Sequence, residues 1–242
     1  MARGAGCTLE GVQEVAAPRS AAPVSARPKS YREAMTLGGR IPEGQSGPWK
    51  IERFTVSLED SKWDRLSGHG RGCPPGTYTR LVDTRRSFDA VMMSDTPDEM
   101  RDHAEAYFQA QKLGGRALVH GLGLGMVTQA LLSLENIEHV DCVELDPDVI
   151  ALVSPAFQEE IDAGRLTIHQ GDCFTKEWPK EARWSVVWSD IWRDLCTDNL
   201  DQMAILRRRF NKRCCTFHGC WGREYLLDRR RREKRQEARF GW

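Results

Sequence analysis

The chain has 242 residues, 40% of them hydrophobic, and its 35 Lys and Arg balance 35 Asp and Glu. That length suits one globular domain with tails, and no apolar run approaches the ~18 residues a membrane-spanning helix needs. Arg3, Glu10, Glu14 and Arg19 interrupt the first residues, which excludes a secretory h-region there and makes a soluble, cytoplasmic protein the expectation. Eight cysteines in a chain this long do not read as a disulfide framework, and none forms a C-x-x-C pair. Cys214, Cys215, His218 and Cys220 lie close together, but adjacent cysteines on a strand face opposite ways, so no metal site is expected.

Residues 1–48 are rich in Ala, Gly, Pro, Ser and Arg without a sustained period, and are expected to be a disordered tail. Residues 49–112 read as a β-rich lead-in and a capped helix. Trp49, Ile51, Phe54, Val56 and Leu58 alternate loosely as in a strand. A Gly/Pro loop from Gly68 to Gly76 follows, and Tyr78 to Val82 with Phe88 to Met93 suggest a strand pair. Thr96-Pro97-Asp98-Glu99 has the composition of a helix start with a capping box, and Gly114-Gly115 closes that helix.

From residue 113 to 226 strands and helices alternate. Strands are expected at Ala117–His120, Val140–Leu145, Leu166–His169, Trp184–Ser189 and Cys214–His218. Helices are expected over Met126–Leu134, from Asp146-Pro147 onward, and over Asn199–Phe210. Short apolar strands in this order predict an α/β fold: a Rossmann-like parallel sheet with helices on both faces. Its C-terminal strands are expected to be curtailed. Residues 227–242 form a basic tail. Thirteen Lys and Arg against four Asp and Glu between Arg207 and Arg239 permit a nucleic-acid partner, or equally a solvated helix.

The chemistry-bearing segment runs from Ala117 to Met126, where a strand enters Gly121, Gly123 and Gly125 and a helix begins. Glycines there let backbone approach a ligand, and a helix start offers free N–H groups. The spacing G-x-G-x-G differs from the dinucleotide fingerprint, and no Gly-Lys-Ser/Thr follows, which excludes a phosphate-binding P-loop. Glu144, 19 residues past Gly125, ends the next strand, where a carboxylate can accept both ribose hydroxyls. Asp146 is a rival for that role, though it also fits a helix cap. Asp172 follows the third strand and suits either an adenine amine or an ordinary turn. Asp190 follows the fourth strand, positioned to orient or deprotonate a nucleophile. Trp188 and Trp192 can wall a planar or cationic group or fill the core. His120 faces the cleft or packs inside.

Four motifs in order, GLGLG, VELDP, QGD and WSDIW, resemble the class I S-adenosylmethionine-dependent methyltransferases, closest to the spermidine-synthase-like branch. Val119, apolar before the first glycine, is similar to that branch. The resemblance spans about Leu113 to Trp192. It implies S-adenosylmethionine as cofactor, with Gly121, Gly123 and Gly125 behind its methionine part, Glu144 on its ribose, and Asp172 with Cys173 near adenine. Asp190 then matches the acid that aminopropyltransferases set on the attacking amine. Past that acid the branch continues with a further Asp-Pro and a Gly-Pro-Ala stretch, whereas this chain reads Ile-Trp-Arg-Asp-Leu-Cys, which removes support for a polyamine pocket. The Asn/Asp-Pro-Pro-aromatic box of amino-methylating nucleic-acid enzymes is missing. The Pro-Cys of cytosine C5 enzymes is missing too, since only the reversed Cys73-Pro74 occurs. Three functions follow: methyl transfer to an unidentified acceptor, aminopropyl transfer, or non-catalytic nucleotide binding on the same fold.

Overall fold

The computed structural model describes residues 30–67, 73–86 and 91–240. The elements in chain order are α1 (Tyr31–Met35), β1 (Gly44–Ser46), β2 (Trp49–Val56), α2 (Leu58–Ser67), β3 (Gly76–Asp83), β4 (Val91–Ser94), α3 (Pro97–Asp102) and α4 (Ala104–Leu113). Then come β5 (Gly115–His120), α5 (Met126–Leu132), β6 (Ile137–Glu144), α6 (Pro147–Val153), a 3-10 turn at Ser154–Phe157, α7 (Gln158–Asp162) and β7 (Leu166–Gln170). β8 (Trp184–Ser189), α8 (Asn199–Phe210), β9 (Cys214–Cys220) and α9 (Arg223–Phe240) complete the fold.

Two sheets result. β1 to β4 form an antiparallel meander, and the second sheet is wholly parallel with the order β7-β6-β5-β8-β9. That order reverses direction between β5 and β8, the point where doubly wound sheets open a crevice at their carboxyl ends. The strands are apolar because both faces are covered. Ala117, Val119, Val186 and Trp188 face one core with Tyr107, Met126, Leu131 and Val153. Leu118, Val143 and Val187 face a second core with Leu200, Met203, Leu206, Phe210 and Leu226. Buried Asp141 on β6 ties four strands together, accepting from Trp184 Nε1 of β8 (2.8 Å), His169 Nε2 of β7 (2.9 Å) and Arg116 Nη2 of β5 (2.9 Å). These donors hold its carboxyl well below the usual range despite burial.

The Rossmann-like sheet matches the expectation, while several local expectations change. Residues 30–48, expected as tail, carry α1 and β1, with Met35 and Ile41 fully buried. Gln129 Nε2 donates to the carbonyls of Ala34 and Thr36 (both 2.9 Å), and Arg40 grips both carboxylate oxygens of Glu160 (2.6 and 2.7 Å). Burial against α5 is thus what orders a segment whose own sequence lacks a period. Residues 1–29, and with them most of the expected tail, lie outside the described residues, as do most of the Gly68–Gly76 loop and Ser87 to Ala90.

The expected capping box at Thr96 does not form. The Thr96 side chain caps no N–H, and Ser94 Oγ contacts both Thr96 Oγ1 (3.1 Å) and Glu99 Oε2 (3.4 Å). The single helix expected there is two, broken at His103. At the other end β9 extends to Cys220, and among the described residues no strand follows it. The expected boundary at 226/227 falls inside α9, so the basic stretch is continuous with the helix that buries Leu226. Among the described residues no helix is long and apolar enough to cross a membrane.

Candidate functional site

Backbone hydrogen bonds bind the carboxyl ends of all five parallel strands into one rim. Gly171 N donates to Glu144 O (2.8 Å), Gly121 N to Val143 O (2.8 Å), Asp190 N to His120 O (2.9 Å) and Trp221 N to Ser189 O (2.9 Å). Above this rim lies a cavity of about 660 Å³, inside the range of small-molecule and cofactor sites.

Gly121, Gly123, Glu144, Asp172, Cys173 and Asp190 all line it. Gly121 has φ +95°, and a β-carbon there would collide with the Asp190 carbonyl oxygen, so the two strand exits abut only because this residue is glycine. Gly123 lies under the Met93 side chain, whose sulfur accepts from Leu124 N–H (3.0 Å).

Gly125, expected behind the methionine part of the cofactor, is not among the residues that line the cavity. It is the N-cap of α5 with φ +75°, and its missing β-carbon makes room for the Phe157 ring. Its glycine serves helix packing.

Glu144 spans the rim: Oε2 accepts from Leu122 N–H (2.8 Å) and Oε1 from Asp146 N–H (2.9 Å). Its carboxylate therefore fixes the glycine loop as well as facing the cavity. The rival Asp146 also lines the cavity, but both its carboxylate oxygens are engaged, Oδ1 capping α6 through Asp148 N–H (3.0 Å) and Oδ2 accepting from Trp49 Nε1 (2.5 Å). Asp172 shapes its own turn by accepting from Phe174 N–H (2.8 Å). Burial pushes the Cys173 thiol up to about 12, so it meets the cavity as a neutral, apolar group.

Asp190 sits among other acids. Burial, with the facing carboxylates of Glu99 and Asp102 from α3, pushes its carboxyl up to about 8. His103 Nε2 lies 3.5 Å from Asp190 Oδ2, and Trp221 Nε1 donates to Asp102 Oδ2 (3.3 Å). Trp192 lines the cavity with its indole N–H held by Gln202 Oε1 (2.7 Å). Trp188 is core and wall at once: 2% exposed, yet lining the cavity. His120 turns away from the cavity. It is fully buried, paired through Nδ1 with Ser189 Oγ (2.9 Å) and tilted against Phe210, and burial lowers its ring to about 3.

The lead-in supplies wall residues that the motifs do not announce: Trp49, Leu81, Arg85, Met92, Met93 and Glu99. Arg85 lies over the Trp49 ring (5.4 Å to centroid) and pairs with Asp83 (2.8 Å). The acids of α3 were readable as a helix start but carried no signal of facing Asp190. Among the described residues no cluster of His, Cys, Asp and Glu is placed to hold a metal ion.

No protein-family model matches the chain, and no curated protein sequence matches it. Several solved structures are similar in part. The CcbJ methyltransferase from Streptomyces caelestis shares 22% identity over 46% of this chain, with a TM-score of 0.37. The chain spans 43% of that structure's length. Podospora anserina methyltransferase PaMTH1, bound to S-adenosylhomocysteine, shares 16% identity over 66% of this chain and 67% of its own, with a TM-score of 0.40. The glycopeptide N-methyltransferase MtfA complexed with S-adenosylmethionine shares 26% identity over 43% of each chain, with a TM-score of 0.34.

Proposed function

We propose that this chain is an S-adenosylmethionine-dependent methyltransferase whose acceptor sits at the Asp190 end of the cavity. The observation that carries this reading is one cavity, at the switch point of the parallel sheet, lined by Gly121, Gly123, Glu144, Asp172, Cys173 and Asp190 together. Methyl transfer is an in-line displacement at a sulfonium methyl group, and the cofactor supplies that chemistry. The protein's part is to align the nucleophile and exclude water. Glu144 is placed to accept ribose hydroxyls while bracing the glycine loop. Cys173 and Phe174 give the adenine end apolar walls, and Asp172 offers it an acceptor. Asp190 orients the acceptor and takes its proton as the new bond to carbon forms. Glu99 and Asp102 raise the proton affinity of that carboxyl, as a base working near neutral pH requires. The acidic surroundings and Trp192 and Trp221 suit an acceptor bearing N–H groups.

The finer likeness, to the spermidine-synthase-like branch, is supported by the Val143–Pro147 motif and the Asp190 position. The aminopropyl alternative takes the decarboxylated sulfonium, attacks its aminopropyl methylene carbon in place of the methyl group, and releases methylthioadenosine. Calorimetry with S-adenosylmethionine, S-adenosylhomocysteine, decarboxylated S-adenosylmethionine and NAD separates the readings. Binding of the first two, with weaker binding of the third and none of NAD, is expected. Preference for the decarboxylated form establishes aminopropyl transfer, and failure of every sulfonium compound to bind refutes both. Tight cofactor binding without S-adenosylhomocysteine release from any offered acceptor favours the non-catalytic alternative. The expected setting for the reaction is the cytoplasm.

A further inference from the structure

α9 is anchored beside the cavity mouth. It begins two residues after Trp221, a wall of the cavity, and buries Leu226 in the second core. Arg230 Nη2 donates to Thr197 O (3.0 Å), in the loop that follows Trp192. Beyond that anchor residues 231–239 are exposed except for half-buried Glu233, so this half of the helix has almost no core to stabilise it. A helix polar all round is held by its own side-chain pairs, and those pairs exist here. Arg229 meets Glu233 (2.9 Å) and Arg232 meets Asp228 (2.5 Å) within the helix, while Arg230 meets Asp201 of α8 (3.3 Å).

Those pairs neutralise one set of cations and leave another. Arg231, Lys234, Arg235 and Arg239 are exposed and have no acidic partner among the described residues. At ~100° per residue they fall within roughly 140° of arc, as a stripe about 12 Å long. Such a line of unneutralised charge, on the exposed half of a helix, fits a linear polyanion. Tyr225, 60% exposed on the first turn, stands between the stripe and Trp221 and offers an aromatic face for stacking. An anionic membrane fits less well, because residues 228–239 offer no apolar face along the stripe, and the large apolar residues after them in the sequence are Phe240 and Trp242 alone.

We propose that α9 is a nucleic-acid-binding arm, its Arg231, Lys234, Arg235 and Arg239 holding a phosphodiester backbone beside the cavity mouth. A strand so held presents a base to the cavity, where carboxyl oxygens of Asp190 and Glu99 can accept hydrogen bonds from its exocyclic amine and the phosphates stay outside. This presentation of the acceptor rests on the methyl-transfer reading, whereas strand binding itself does not.

The test is fluorescence anisotropy of the full chain with labelled 20-nucleotide single-stranded RNA, single-stranded DNA and duplex DNA across a salt series. At least one is expected to bind with a steep loss on adding salt, a slope near −0.7 to −0.9 per phosphate contact. The fourfold variant R231Q/K234Q/R235Q/R239Q, which keeps good helix formers, is expected to weaken binding ~10-fold or more and flatten the slope. The charge-neutral control D228Q/R232Q leaves it unchanged. No binding, a salt-independent affinity, or an unaffected fourfold variant overturns the proposal. So does tighter binding to phosphatidylserine vesicles or polyglutamate than to any oligonucleotide. Calorimetry with S-adenosylhomocysteine on the same proteins keeps the two readings apart. A chain that binds strands but not S-adenosylhomocysteine retains the arm and loses the methyltransferase, and the converse result does the opposite.

Discussion

Asp190 concentrates the chemistry of the site at one side chain. With its carboxyl pushed up to about 8, it is mostly protonated at neutral pH and gains proton-accepting capacity as pH rises. Turnover is therefore expected to rise through about pH 8, and Asp190→Asn to lower it by ~10²–10⁴-fold and flatten the profile. The same shift has a stability consequence of opposite sense. Between the unfolded carboxyl value of ~4 and about 8 the native state binds more protons than the unfolded one, so stability falls as pH rises across that window. Asparagine imitates the protonated carboxyl and does not titrate. The melting temperature of Asp190→Asn relative to native protein is thus expected to be higher at pH 9 than at pH 6. A difference independent of pH would mean that Asp190 is neither buried nor crowded by Glu99 and Asp102 in solution. Glu144 makes a second case: truncation to alanine removes an acceptor for ribose and for Leu122 N–H together. Loss of one charged hydrogen bond, about 1.5–3 kcal/mol, predicts 10- to 150-fold weaker S-adenosylhomocysteine binding by calorimetry.

Among the elements, α5 shows how a motif can be legible while its reasons are not. The alternating glycines mark the strand exit, yet Gly125 is glycine for the sake of the Phe157 ring and a left-handed N-cap. Gly125→Ala is expected to cost about 2–4 kcal/mol, from overpacking and the positive φ together, readable as a lower thermal midpoint. β5 to β9 and α8 were readable because their apolar residues recur at the period of the structure they form. Trp184–Ser189 and Asn199–Phe210 match their expected bounds. The lead-in's share of the cavity was not readable, because Met93 and Glu99 reach the rim through the packing of α3 and β4, which no local period encodes. α1 was missed for a related reason: Tyr31–Met35 is too short for a periodic signal and is stable only against α5.

At the scale of the whole molecule, the segment before β2 belongs to the fold. Met35 is fully buried against the first core, so Met35→Ala is expected to destabilise the chain by about 2–4 kcal/mol, whereas truncation of a side chain in a loose tail would change nothing measurable by chemical denaturation. The antiparallel meander and the strand rim meet around one cavity, with Trp49 on the meander, Trp188 and Trp192 at the end of β8, and Trp221 just past β9. Half of the eight tryptophans thus surround the space a ligand would fill. The protein carries its own optical reporter: a guest entering there changes the polarity around four indoles at once, and intrinsic emission follows occupancy without any attached dye.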